Sequence, residues 1–88
     1  MAEYQISFAR TARKELDQLP LTPADRALAR IEKLTANPRP RGATKLRGPN
    51  NLWRIRVGDY RVIYSIDDDA EYVDITHIRH RRDVYRDI

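Results

Sequence analysis

The residues of this sequence that could do chemistry are basic and aromatic: Lys45, Arg47, Arg54, Arg56, Arg61, His80, Arg81 and Tyr85. Arginines carried on a rigid sheet make paired hydrogen bonds to phosphate oxygens and stabilise the charge that builds up on a pentavalent phosphorus. Cleavage of an RNA phosphodiester by its own 2′-hydroxyl needs a base for that hydroxyl, cations around phosphorus and an acid for the departing 5′-oxygen. The set holds candidates for all three without a metal. It would serve equally well as a surface that binds and cleaves nothing, so residue types and spacing leave enzyme and binder open.

Other chemistries lack their residues. There is no Cys, hence no disulfide, thiolate metal site or thiol nucleophile. The glycines, at 42, 48 and 58, are too scattered for a phosphate-cradling loop. His77 and His80 sit near a strand end with no Cys or well-placed carboxylate to complete a metal site. Asp67, Asp68, Asp69 and Glu71 form an acidic cluster, but consecutive Asp on a tight turn diverge, so a solvated turn is expected rather than a magnesium site. No cofactor is implied.

Charge points to a polyanionic partner. The formal net charge is +4 and the pI about 9.8. Between Arg39 and Arg61 lie the bases 39, 41, 45, 47, 54, 56 and 61 against a single acid, Asp59, whereas Asp67 to Asp74 carries acids alone. No stretch approaches 18 apolar residues, so a soluble cytoplasmic protein is the expectation.

The arginines need a scaffold, and Trp53 to Tyr64 supplies it. Two alternating runs flank Gly58-Asp59, and Gly at the first central position suits a two-residue type II′ turn. That turn sets Val57 against Tyr60, Ile55 against Val62 and Trp53 against Tyr64 on one core-facing surface. The other surface carries Arg54, Arg56, Arg61 and Ile63, with Arg56 directly across from Arg61. Like charges so opposed are destabilising, which suggests an anion between them.

The rest of the chain, read as one domain over residues 1–88, must cover the apolar face of that hairpin. Glu3–Phe8 alternates as a short strand. Ser7 to Leu19 reads as a helix with an apolar line through Ala9, Ala12, Leu16 and Leu19, ended by Pro20. A second helix is expected to be capped by Thr22, with Pro23 at its first position and Ala27, Leu28, Ile31 and Leu34 buried. Asn37-Pro38-Arg39-Pro40 stops it. Arg41 to Asn51 is a basic approach to the hairpin, Asp67 to Ala70 a turn, and Glu71–Ile78 a strand with Val73 and Ile75 inward. His80 to Arg86 is expected to form a short helix or turn. The order is βααβββα, an α+β fold with a small antiparallel sheet and a helical pair on one face.

The pattern Lys45-Leu46-Arg47-Gly48, the hairpin from Trp53 to Tyr64 and the ending His80-Arg81-Arg82-Asp83-Val84-Tyr85-Arg86 together resemble the RelE branch of the RelE/ParE toxin superfamily over nearly the whole chain. The resemblance implies a ribosome-dependent mRNA endonuclease that cuts in the decoding site without metal, through the 2′-hydroxyl. It also implies a cognate antitoxin wrapped around the toxin as a hetero-oligomer. By position, Arg61 matches the arginine on the scissile phosphate, Arg54 and Arg56 match basic hairpin positions, and Tyr85 matches the proposed general base. Arg81 matches, with a shift, an arginine near the leaving group, a role that Arg79 or His80 could also hold. His80 is the readier proton donor near neutral pH. Two alternatives are a ParE-like poison of DNA gyrase without nuclease activity and a non-catalytic RNA-binding module.

Overall fold

The computed structural model describes residues 3–48 and 51–82. Its elements are β1 (Gln5–Phe8), α1 (Arg10–Asp17), α2 (Leu21–Lys33), β2 (Thr44–Lys45), β3 (Leu52–Val57), β4 (Tyr60–Asp67) and β5 (Tyr72–His80), and the five strands form one sheet in the order β1-β5-β4-β3-β2. Of the helix or turn expected from His80 to Arg86, His80 instead ends β5 and residues 81–82 form a turn; residues 83–88, Tyr85 among them, lie outside the described residues.

The hairpin has the register its alternation implies: Trp53 pairs with Tyr64, Ile55 with Val62, Arg56 with Arg61 and Val57 with Tyr60. Gly58 takes φ +61° and Asp59 does not share the left-handed region, which is the backbone requirement of a type II′ turn. Ile55, Val57, Val62 and Tyr64 are buried against Ala12 and Leu16 of α1 and Ala27 and Ile31 of α2. Trp53 and Tyr60, at the two ends of the hairpin, are only half-buried. Each fully buried aliphatic side chain here contributes about 1.5–3 kcal/mol.

The sheet departs from the expected antiparallel one in strand direction at the β1 edge and gains an additional antiparallel strand at the β2 edge. β1 pairs with β5 in parallel, Gln5 beside Tyr72 through Phe8 beside Ile75, and the two exposed residues of β2 add a short strand outside β3. Ser7 belongs to β1, not to the helix; its hydroxyl donates to Asp74 at 2.8 Å. α2 begins one residue before Thr22, so Thr22 does not cap it. Pro20, in an extended conformation, supplies the carbonyl that accepts the Ala24 N–H at 3.0 Å. Pro23 is tolerated there because the N–H groups of a first helical turn have no intrahelical partner. Leu28, expected on the buried face, is 36% exposed, because α2 turns Ala24, Ala27, Ile31 and Leu34 inward instead.

One irregularity decides what β5 presents. Ile63 pairs with His77 but Tyr64 pairs with Ile75, which leaves Thr76 as the extra residue of a bulge. The Thr76 hydroxyl donates to the Ile63 carbonyl at 3.0 Å. Val73, Ile75 and Ile78 therefore all point into the core, and His77 and Arg79 move to the opposite face.

A candidate phosphate-binding face

Among the described residues, α1 and α2 both lie on one side of the sheet, and neither covers the other side. On that second side the register sets Arg56, Arg61 and Arg79 next to one another across β3, β4 and β5. The next row holds Thr44, Arg54, Ile63 and His77, and the one beyond it Leu52, Ser65, Asp74 and Ser7. Ile63 is wholly buried although it stands outside the main core. Its cross-strand neighbours are Arg54 and His77; the long Arg54 side chain can cover it while keeping its guanidinium outward.

Three guanidinium groups in one row are costly unless something offsets them. Cross-strand partners stand about 5 Å apart, and like charges at that spacing repel. Two devices hold the row. Arg56 donates from Nε to the Gly58 carbonyl at 3.0 Å, which draws it toward the hairpin turn. Arg79 donates from Nε to Glu15 Oε2 at 2.6 Å, across the edge of the sheet. Arg61, between them, is partly buried. Arginines from three strands thus stand side by side in register on this face, the two flanking ones held by protein oxygens.

The other expected site residues scatter. His80 pairs with Tyr60 on the helix side, their rings edge to face at 5.5 Å, so it faces away from Arg61. Lys45 pairs with Trp53 and so starts on the helix side as well, at the outermost strand. Arg47 is exposed in the segment beyond β2. Arg81 is exposed in the turn after β5, its N–H bound to the Asp59 carbonyl at 2.7 Å. His77 and His80, on opposite faces of one strand, do not converge on a shared ligand. Among the described residues of the C-terminal stretch, Arg79 is the one that pairs with Arg61. A trace of this was in the sequence: Ile75 and Ile78, three apart in an alternating strand, mark a bulge that flips the residues after it. Glu15 and His77 left no such trace.

At the far end of the sheet the acidic turn is engaged rather than merely solvated. Asp68 accepts two hydrogen bonds from Arg39, at 3.0 and 2.7 Å, and one from the Tyr4 hydroxyl at 2.8 Å. The Arg39 and Tyr4 hydrogen bonds hold its carboxyl down at about 2. Arg39 also lies over the Trp53 ring, 5.1 Å from its centroid. This cluster ties the loop after α2 to the β4–β5 turn, away from the arginine row.

Fold and face together define a small α+β protein whose sheet carries arginines from three strands on the side away from α1 and α2. Comparison with known proteins gives that class its family. The family model described as the ParE toxin of the type II toxin–antitoxin system parDE matches residues 6–85. Toxin RelG of Mycobacterium tuberculosis is 34% identical over 88 residues, covering 94% of this chain and 97% of the relative. Among solved structures, the RelBE2 toxin–antitoxin complex of the same organism matches with a TM-score of 0.79 at 31% identity, over 90% of this chain and 99% of that one. The archaeal RelE–RelB complex from Pyrococcus horikoshii also reaches 0.79, at 32% identity over 90% and 96%. The chain belongs to the RelE/ParE superfamily and is a toxin of the type II toxin–antitoxin class.

Proposed function

We propose that this toxin is a ribosome-dependent mRNA endonuclease that acts in the cytoplasm and is silenced by a cognate antitoxin. The observation that carries the reading is the row Arg56–Arg61–Arg79 on the face away from α1 and α2. In this reading the 2′-oxygen attacks phosphorus as its proton passes to a base, the bond to the 5′-oxygen breaks, and a proton reaches that oxygen. The products are a 2′,3′-cyclic phosphate and a free 5′-hydroxyl. Arg61 holds the non-bridging oxygens. Arg79, beside it in the row, stabilises the charge on the departing 5′-oxygen, which takes its proton from water; His80 lies on the helix side. Tyr85, assigned by resemblance, takes the 2′-hydroxyl proton. Arg54, Arg56, Arg47 and Lys45 bind flanking phosphates. The residues named need no metal for this chemistry.

The antitoxin is proposed from the solved relatives, which are complexes of a toxin with its antitoxin. A partner for a chain of net charge +4 would be acidic, partly disordered alone, and ordered on the toxin, gaining association rate from charge complementarity.

A ParE-like gyrase poison is the second reading, favoured by the description of the matching family model. Induction of the toxin in cells separates the two. Endonuclease action stops translation and leaves mRNAs cut at codon-related positions on ribosomes. Double-strand DNA breaks with intact mRNA would establish the gyrase reading instead.

A further inference from the structure

β5 runs further than the strand beside it. β1 ends at Phe8, opposite Ile75, and the Ala9 N–H makes the last bond of that edge, to the Ile75 carbonyl. From Thr76 onward the outer edge of β5 has no strand to pair with among the described residues, because the chain has already turned into α1. An open edge exposes backbone donors in a region otherwise buried by α1.

Glu15 closes that edge. It lies on the side of α1 that faces β5, and its carboxylate is partly buried. Oε1 accepts the Ile78 backbone N–H at 3.0 Å and Oε2 accepts Arg79 Nε at 2.6 Å. His77 Nδ1 stands 3.8 Å from Oε1. One carboxylate thus grips the backbone of one residue and the side chain of the next. The backbone bond fixes the carboxylate, and the fixed carboxylate fixes the guanidinium. Because the bond uses Nε, the donor nearest the chain, it sets the direction of the whole Arg79 group. Its negative charge also offsets the repulsion between Arg79 and its cross-strand partner Arg61.

We propose that Glu15 is a positioning residue: it holds Arg79 in the arginine row, beside Arg61, for the departing 5′-oxygen. The inference rests on the endonuclease reading above. Glu15 does not itself touch RNA; a carboxylate placed against phosphate would repel it. Its effect falls on the rate of the chemical step rather than on binding, since flanking phosphates are held by other bases.

The test is single-turnover cleavage of mRNA on programmed ribosomes by the full chain, with Glu15→Ala, Glu15→Gln, Arg79→Ala and the Glu15→Ala/Arg79→Ala double variant. Glu15→Ala should slow cleavage about a hundredfold, the loss expected when a reacting group is held off its proper position. The toxin concentration that saturates ribosomes should not change. Glu15→Gln keeps an oxygen for the Ile78 N–H and should recover part of the rate; it also carries the test if the alanine variant does not fold. In the Arg79→Ala background, removing Glu15 should cost nothing further. An equal loss in both backgrounds would make Glu15 a fold-holding residue and overturn the proposal, as would a Glu15→Ala rate equal to wild type. If the wild-type chain leaves ribosomal mRNA intact, the endonuclease reading falls and the inference with it, an outcome distinct from wild type and variant cutting alike.

Discussion

Arg61 pairs with Arg56 on one side and with Arg79 on the other, so the central arginine of the face away from α1 and α2 has like charge on both flanks. A row of this kind is poor for stability and good for an anion, and its geometry is set by strand register, not by flexible loops. Charge on the phosphoryl oxygens of a transition state would be met by donors already in place. Arg61→Ala removes the middle of the row. In the endonuclease reading it loses transition-state stabilisation of roughly 3–4 kcal/mol, a fall of about 10²–10³-fold in single-turnover cleavage. Circular dichroism should be unchanged. Cleavage at the wild-type rate would remove Arg61 from the phosphate.

Tyr85 is the proposed base, and a free tyrosine, with a pKa of about 10, is a poor one at pH 7. An arginine placed beside a phenol favours its phenolate, which is what the proposed role requires. Tyr85→Phe keeps the ring and loses the hydroxyl alone. It should slow cleavage by orders of magnitude while antitoxin binding, measured by calorimetry, stays unchanged. A rate close to wild type would exclude Tyr85 as the base.

Asp68 should govern the acid limb of stability. Hydrogen bonds from Arg39 and then Tyr4 favour its carboxylate, which titrates at about 2 when folded against 3.8 for an unperturbed Asp. A depressed folded value means that the contribution is present above about pH 4 and is lost as pH falls toward 2. Side chains on both sides of the pair are substantially exposed, at 38% and 53%, so salt should weaken it. Asp68→Asn keeps the shape and loses the charge. Melting temperatures of the two proteins should differ at pH 5 and converge toward pH 2. A gap that stays constant over that range would show that Asp68 acts through its shape alone.

The legible parts of this fold are those written in short-range alternation. The pairing of Arg56 with Arg61 follows from Gly58-Asp59 and the residues on either side, because a two-residue turn fixes the register of both strands. The parallel pairing of β1 with β5 could not be read, since nothing local links Phe8 to Ile75. β2 is two exposed residues with no pattern to detect. In β5, strict alternation from Ile75 would bury His77 and Arg79; the bulge at Thr76 puts them on the arginine face and turns His80 toward Tyr60. Glu15 reads in sequence as one more charge on the wet side of a helix. Only the premature end of β1 gives it a backbone N–H and a guanidinium to hold.

Tyr64 shows how a buried polar group tests the packing around it. Its ring is wholly buried, and its hydroxyl donates to the Pro38 carbonyl at 2.7 Å, locking the loop after α2 onto the sheet. Burial pushes the phenol up to about 12, with Arg39 pulling weakly the other way. Tyr64→Phe leaves the buried Pro38 carbonyl without this donor and should cost about 1–3 kcal/mol at neutral pH. The pH dependence has a definite sign. Below pH 10 the phenol is neutral in both folded and unfolded chains, and the hydroxyl's contribution is fully present. Between pH 10 and about 12 the unfolded chain ionises Tyr64 while the folded one resists, so that contribution is lost as pH rises. Urea unfolding of wild type and Tyr64→Phe at stepped pH from 8 to 12 measures it directly, with the other tyrosines common to both. The wild-type advantage should be flat to pH 10 and shrink above it. A constant difference across the whole range would mean that the Tyr64 hydroxyl is open to water, and that the closure of the loop over the sheet is looser than its hydrogen bond to Pro38 implies.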